Sequence, residues 1–297
     1  MSRKIEISPF GSLLVYKKEY KADDVRSIIQ EHNLRGLRIF AQLKDERLSD
    51  LDFLCEFSFL EALSITSTDD DNFEFLKNLK KLKELTIIIA GKNKINLSNQ
   101  ECLENLTIQW RKGKIGGLDK CHHISTLCLV DYTENDLTPL NSLHNLMDLK
   151  IKTASINNIK GIENFIKLNS LLLGNCKKLS NLNGLEYLIN LKYLSFDLCP
   201  QIKNFNKIGY LPNLENLQIT DCKEVETIKF IEKLPSIKRF TLLGSSDVLD
   251  GDILPAKNIK EVFYKHRKHY NFKIENQNYD DIIKKNLEKI KNNENRN

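Results

Sequence analysis

The sequence predicts an α/β solenoid: a parallel β-sheet on one side, short helices or 3₁₀ turns and loops on the other, wound in a right-handed coil. Three observations predict it. An apolar unit of the form LxxLxL recurs eleven times, starting at Leu34, Leu60, Leu82, Leu103, Ile124, Leu146, Leu168, Leu191, Leu214, Ile237 and Ile259. The steps between these starts are 26, 22, 21, 21, 22, 22, 23, 23, 23 and 22 residues, a cadence that composition alone does not produce. The segments between units repeat an apolar residue every third position, as in LTPLNSLHNL from Leu137 to Leu146, which suits 3₁₀ turns. A chain of 297 residues that is 41% apolar and 29% charged can also enclose a long core under a charged surface.

The elements follow in order. Residues 1–33 read as an N-terminal cap. KIEI and SLLVY flank SPFG and predict a hairpin. ADDVRSIIQEHN then places Val25, Ile28, Ile29 and His32 on one helical face, with Asp23 and Asp24 at the helix's positive end. Residues 34–266 are the repeats. In each, alternation sends the fourth and sixth positions to one face of a short strand, and stacking the next unit in parallel continues the core. The longer first step leaves room for extra turns near Phe53 to Phe59. Residues 267–297 read as a C-terminal cap and basic tail. YNFKI is expected as an edge strand, and NYDDIIKKNLEKIKNN as a short helix with Ile283, Leu287 and Ile290 on one side.

The motif LxxLxLxxC/NxxLxxLxxLxx resembles a leucine-rich repeat, closest to the 22-residue class of bacterial internalin-type proteins, over residues 34 to about 266. The resemblance implies a horseshoe with its parallel sheet on the concave face and a protein partner docked there. It also implies an asparagine at the ninth position of each unit, tying together buried backbone groups of the turn. Here Cys176, Cys199 and Cys222 stand at that position in three consecutive units, and Gln42, Thr68, Ala90, Arg111, Tyr132, Ala154, Ser245 and Arg267 in the others. A buried thiol is a small apolar group with a weak S–H donor and can stand in for the amide. That structural role outweighs metal binding. Stacked thiols about 5 Å apart are not unfit for a metal, but no histidine is in register and structural zinc wants four converging ligands.

Other chemistry is sparse. Seven cysteines, an odd number without a CxxC pair, read as free thiols of a reducing cytoplasm. Neither a secretory leader nor a membrane span is expected. Of the net charge of +5, +4 lies between Tyr264 and Asn297, so the body is balanced and nucleic-acid binding is not expected. The tail's charge reads as a solvated helix face rather than a docking arm for an acidic partner. No phosphate-binding loop, nucleophile elbow or zinc-protease motif occurs. Cys121, His122 and His123 are adjacent, so on extended backbone their side chains point apart. HRKHY reads as a cationic surface. A catalytic pairing of Cys128 with a histidine would need a close approach that no spacing predicts.

Positions 3, 5, 7 and 8 of each unit are expected to face outward on the concave side. Interfaces favour aromatic and arginine anchors, which selects two clusters. The first is Trp110 with Asp131, Asp148, Lys150 and Lys152; the second is Tyr193, Asp197, Asp221 and Arg239. The plainer alternatives are that the charges only solvate the sheet, and that Trp110 folds inward to fill a gap in the glycine-rich unit RKGKIGGLDK. The functional expectation is a non-enzymatic, cytoplasmic, monomeric module without cofactor that binds one protein partner. Its Asn-, Lys- and Ile-rich composition points to a bacterium, where such a chain would serve as an adaptor or a toxin-neutralising immunity protein. A secreted, host-directed effector is the alternative, and an enzyme whose repeats position a substrate ranks third.

Overall fold

Each LxL motif forms a short parallel strand in the computed structural model, which describes residues 13–17, 20–41, 51–67, 72–89 and 93–274. The chain divides into two units, residues 1–134 with 139–151, and residues 135–138 with 152–297.

The first unit contains β1 (Leu13–Val15), α1 (Ala22–Glu31), β2 (Gly36–Ala41), β3 (Ala62–Ser67), β4 (Glu84–Ile89), β5 (Ile95–Asn96), β6 (Asn105–Gln109), β7 (Ile115–Gly116) and β8 (Thr126–Tyr132). It ends within β9 (Asp148–Ala154). Strands β1, β2, β3, β4, β6 and β8 pair in parallel in that order, with Leu63, Leu85, Leu106 and Leu127 in register and buried. The alternation of the sequence is the cause: β4 reads ELTIII and alternates half-buried and buried along its whole length.

The second unit continues with β10 (Ser170–Gly174), β11 (Tyr193–Asp197), β12 (Asn216–Thr220), β13 (Glu224–Val225), β14 (Arg239–Leu243), β15 (Asp247–Val248) and β16 (Glu261–Tyr264). Strands β10, β11, β12, β14 and β16 pair in parallel in sequence order. Leu171, Leu194, Leu217, Phe240 and Val262 form one buried row across them. Burying one such side chain contributes roughly 1.5–3 kcal/mol, and each row needs its neighbours to stay dry. That dependence is why one repeat alone would not fold.

The return segments have their own device. Asn72, Asn96, Asp136, Asn158, Asn181, Asn204 and Thr227 each accept a hydrogen bond from the backbone N–H two residues on. These Asx and Thr turns start the descent into the 3₁₀ turns, such as Glu74–Asn78, Asn206–Tyr210 and Lys229–Lys233. At Asp136 the Thr138 hydroxyl also donates, at 2.6 Å, and holds the carboxyl below its ordinary range.

The ends differ from expectation in two places, at His32 and at YNFKI. Helix α1 buries Val25, Ile28 and Ile29, with the Lys21 N–H bonded to Asp24 Oδ2 at 3.1 Å. It stops at Glu31, however, and Asn33 takes a left-handed φ of 49°, so His32 lies past the last turn and is exposed. β1 pairs in parallel with β2, which makes α1 a crossover between parallel strands; the KIEI half of the expected hairpin lies outside the described residues. YNFKI forms no strand. Instead Tyr270 is buried at the end of the second unit, its hydroxyl donating to Asp247 Oδ1 at 2.9 Å and accepting from the Val248 N–H at 3.2 Å. Arg267 and His269 lie 3.2 and 3.3 Å from the same carboxylate, and burial pushes the Tyr270 phenol up to about 12. The helix expected beyond it, from residue 278 on, falls outside the described residues. No described helix is long and apolar enough to cross a membrane.

Candidate functional site

Two positions of the repeat decide what the sheet face presents. At position 8, Asp131, Thr153, Asn175, Leu198, Asp221 and Gly244 take left-handed φ values between 52° and 68°. The left-handed residue directly follows the last strand residue at Asn175, Leu198, Asp221 and Gly244, lies one residue inside the strand end at Asp131 and Thr153, and turns the chain toward the ninth position. Asp, Asn and Gly tolerate that region; a leucine does so only with strain. Gly244 also makes room, since a Cβ there would lie 2.2 Å from Asp221 Oδ1.

At position 9 the three cysteines are fully buried and act as weak donors to turn carbonyls. Cys176 Sγ lies 3.6 Å from the Gly174 oxygen, Cys199 Sγ 3.4 Å from those of Leu173 and Asp197, and Cys222 Sγ 3.3 Å from that of Thr220. Hydrogen bonding to Cys199, with burial, pushes the Cys176 and Cys222 thiols up, and the same hydrogen bonds draw the Cys199 thiol down. Arginines do the same work from farther away. Arg111 donates to the Ile89 carbonyl, and Arg267 to those of Gly244 and Ser246. The expectation for Ser245 is corrected: it is exposed, and Ser246 takes the ladder place, accepting from the Cys222 N–H at 3.0 Å and lying 3.4 Å from the Ile219 oxygen. Gln42, Thr68 and Ala90 lie outside the described residues.

Trp110 does not face the solvent. It is 7% exposed, packs against Tyr132 with ring centroids 4.9 Å apart, and donates its indole N–H to Glu134 Oε1 at 3.1 Å. The reason is parity. Where position 8 stays extended, as at Ile89 and Trp110, the strand pattern continues and an even position points inward with positions 4 and 6. The Trp110 backbone N–H donates to the Val130 carbonyl at 2.7 Å. Trp110 is therefore a core residue, and the first cluster loses its anchor. Within the first unit Asp131 accepts from Gln109 Nε2 at 2.8 Å, Asp148 is half-buried and Lys150 exposed. Lys152 belongs to the second unit and is exposed.

The second cluster is brought together. Tyr193, Asn216, Arg239 and Glu261 are register partners on adjacent strands. Tyr193 donates its hydroxyl to Gln218 Oε1 at 2.9 Å. Arg239 Nε donates to Glu261 Oε2 at 2.6 Å while its guanidinium sits 5.8 Å from the Phe263 ring centre. Tyr193, Gln218, Arg239 and Phe263 line a shallow cavity of about 310 Å³ with Asn216, Thr241 and Leu243. Beside it, Asp197 lies between Gly174 and Thr220 in register. Burial, and then the neighbouring Asp221 carboxylate, raise the Asp197 carboxyl above its ordinary range. No cation among the described residues pairs with Asp197. Thr220 Oγ1, buried next to it, makes no hydrogen bond there either. Leu198, the strained residue of the turn, is 46% exposed. Sequence reasoning puts Leu198, Gln218 and Phe263 at outward positions but does not select them for this site. The first stands out as a large aliphatic between Asn175 and Asp221 in the position-8 column.

The remaining candidates are used by the fold. Cys121 is buried with its Sγ 3.5 Å from the Leu97 oxygen, and burial pushes its thiol up to about 11. His123 Nδ1 lies 2.9 Å from the Glu101 oxygen, and the His122 carbonyl accepts from Asn145. These last contacts belong to a further ladder: Asn190, Asn213 and Ser236 likewise reach the carbonyls of Ile166, Ile189 and Pro212, one repeat back.

No protein-family model matches the sequence, and no curated protein matches it. Solved structures do. An internalin (inlF) from Listeria monocytogenes aligns over 90% of this chain and 83% of its own, at 18% identity and a TM-score of 0.58. A leucine-rich-repeat protein of Leptospira interrogans aligns over 85% and 82%, at 16% identity and a TM-score of 0.48. The repeat cadence, the parallel ladder with its buried leucine rows, and the likeness to the internalin structure together give this chain the leucine-rich-repeat fold.

Proposed function

We propose that the chain is a non-enzymatic protein-binding module, and that the strand face of its second unit receives the partner. One observation carries the reading: side-chain costs converge at the Asp197–Leu198 turn, although its backbone is fully used by the fold. A half-buried carboxylate stands beside a second one without a cation, a buried hydroxyl beside it is unpartnered, and a leucine is held left-handed and in solvent. Such local conflicts concentrate where a protein meets something else. The partner presents a lysine or arginine to Asp197 and Asp221 and an apolar side chain to Leu198. Tyr193 and Arg239, already fixed by Gln218 and Glu261, supply preorganised anchors whose ordering entropy is spent before binding.

We further place the chain in the cytoplasm of a bacterium, as an adaptor or as an immunity protein that neutralises a toxin. Its seven cysteines are all free, which supports a reducing compartment. The test is affinity capture from the source cell with three baits: the wild type, Asp197→Asn and Leu198→Ala. A partner held by the wild type and lost from both folded variants supports the proposal. Equal capture by all three overturns it.

A further inference from the structure

On the side of the second unit away from the strand face, four large apolar side chains stand in solvent in consecutive repeats. Ile166 is 58% exposed, Tyr187 61%, Ile189 55% and Tyr210 59%. They are not scattered. Ile166 and Ile189 lie two residues before their strand motifs, in a column that Pro212 and Pro235 continue, both exposed. Tyr187 and Tyr210 lie four residues before theirs, in the adjacent column. In the first unit the isoleucine column reads Lys80, Glu101, His122 and His144 instead. The repeat therefore does not require apolar residues there; only the second unit carries them. Hydrogen bonds from Asn190 to the Ile166 carbonyl and from Asn213 to the Ile189 carbonyl, each at 2.8 Å, hold the backbone of the stripe rigid. Lys207 and Lys233 flank Tyr210, their ammonium groups 6.0 and 5.7 Å from the ring centre, and Lys207 is neutralised by Glu186 at 2.6 Å.

We infer that this stripe is the interface of a homodimer, a second copy of the chain being its occupant. Two features favour a copy of itself. The first is symmetry: a two-fold axis crossing the stripe between its second and third repeats sets Tyr187 opposite Tyr210, Ile189 opposite Pro212 and Ile166 opposite Pro235. Every apolar residue then meets an apolar residue, and the tyrosines meet as an aromatic pair, as a self-complementary interface requires. The second is area. With about 200 Å² for a whole aromatic side chain, the exposed fractions above leave roughly 400–500 Å² of apolar surface per copy. Two copies with their prolines thus reach the roughly 1,000 Å² that a specific interface should clear. A patch of this size is comparable to the largest apolar patch that a single protein exposes, which is often functional.

Sedimentation equilibrium of the full chain, from about 1 to 100 μM, tests this. The wild type is expected to shift with concentration from a mass of 34.5 kDa toward twice that value. Tyr210→Glu and Ile189→Glu, both at exposed positions and so compatible with folding, are expected to weaken association at least tenfold with an unchanged circular-dichroism spectrum. A wild type that is monomeric at every concentration overturns the inference, and so does a dimer indifferent to both substitutions. Vesicles of phosphatidylcholine with 30% phosphatidylserine supply the remaining arm. A monomer that sediments with them through Ile189 and Tyr210 would assign the stripe to a lipid surface and refute the dimer. Asp197→Asn should leave the mass distribution unchanged, which separates this outcome from that of the strand-face proposal.

Discussion

Replacing Trp110 with alanine should unfold the first unit more easily rather than abolish partner binding. The indole is 7% exposed and rests on the fully buried Tyr132. Truncating a buried tryptophan costs about 3–5 kcal/mol in lost transfer energy and cavity formation. Loss of the N–H bond to Glu134 adds at most about 1 kcal/mol, because Lys112 at 3.2 Å still pairs with that carboxylate. For a unit of this size each kcal/mol corresponds to roughly 2–4 °C, so the melting transition of the first unit should fall by about 10 °C. Trp110→Phe keeps a ring against Tyr132 and should lose only about a third of that. Far-ultraviolet circular dichroism is the assay, since Trp110 is the single tryptophan and its removal erases the fluorescence probe. In the wild type that same fluorescence should be blue-shifted and poorly quenched by acrylamide. A Trp110→Ala protein that melts within 2 °C or so of the wild type would refute the assignment of this side chain to the core.

Three further outcomes follow from the geometry. Ser246→Ala leaves the buried Cys222 N–H without its acceptor and should cost about 2 kcal/mol in urea denaturation, whereas Ser245→Ala, one residue away and exposed, should cost almost nothing. Asp136 has its carboxyl held low by Thr138. Its contribution to stability is therefore present above the ordinary carboxylate value near 4 and lost as the pH falls through the lowered value; Thr138→Val should move acid unfolding of the second unit to higher pH. Asp197 is shifted the other way, so its ionisation opposes folding. Asp197→Asn should raise the urea midpoint at pH 7, with the gain vanishing below about pH 4; no gain at pH 7 would mean that the carboxylate is well solvated.

The parts of this molecule that repeat were the parts legible in the sequence. Leu85, Leu127, Leu171 and Leu217, picked out by spacing alone, do line shared interiors, because a period-two strand leaves its apolar residues only one face to occupy. The errors sit where one residue changes parity or phase. Treating position 8 as outward everywhere sends Trp110 outward, against the alternative that it fills a gap in the core. Yet the outward rule holds only where the residue goes left-handed, and Trp and Ile, unlike Asp, Asn or Gly, give no reason to do so. A fixed count from the unit start lands on Ser245 and ignores the extra residue that Gly244 and Ser245 place in the turn, which hands the ladder place to Ser246. The Asx turns are in plain view in the sequence, since Asn72, Asp136, Asn158, Asn181 and Asn204 each stand ten residues before the next LxxLxL unit. The stripe of Ile166, Tyr187, Ile189 and Tyr210 escaped for a different reason: apolar residues on a return segment look like core until the turn geometry shows which of three consecutive positions points out.

The central claim is that the strand face of the second unit is where a partner sits. Hydrogen exchange of the full chain, with and without the protein captured by the wild-type bait, tests it most directly. Added protection is predicted at Tyr193–Leu198, Asn216–Asp221 and Arg239–Leu243, with the Tyr187–Ile189 turn unchanged. Protection confined to the return segments, or to the first unit, would contradict it.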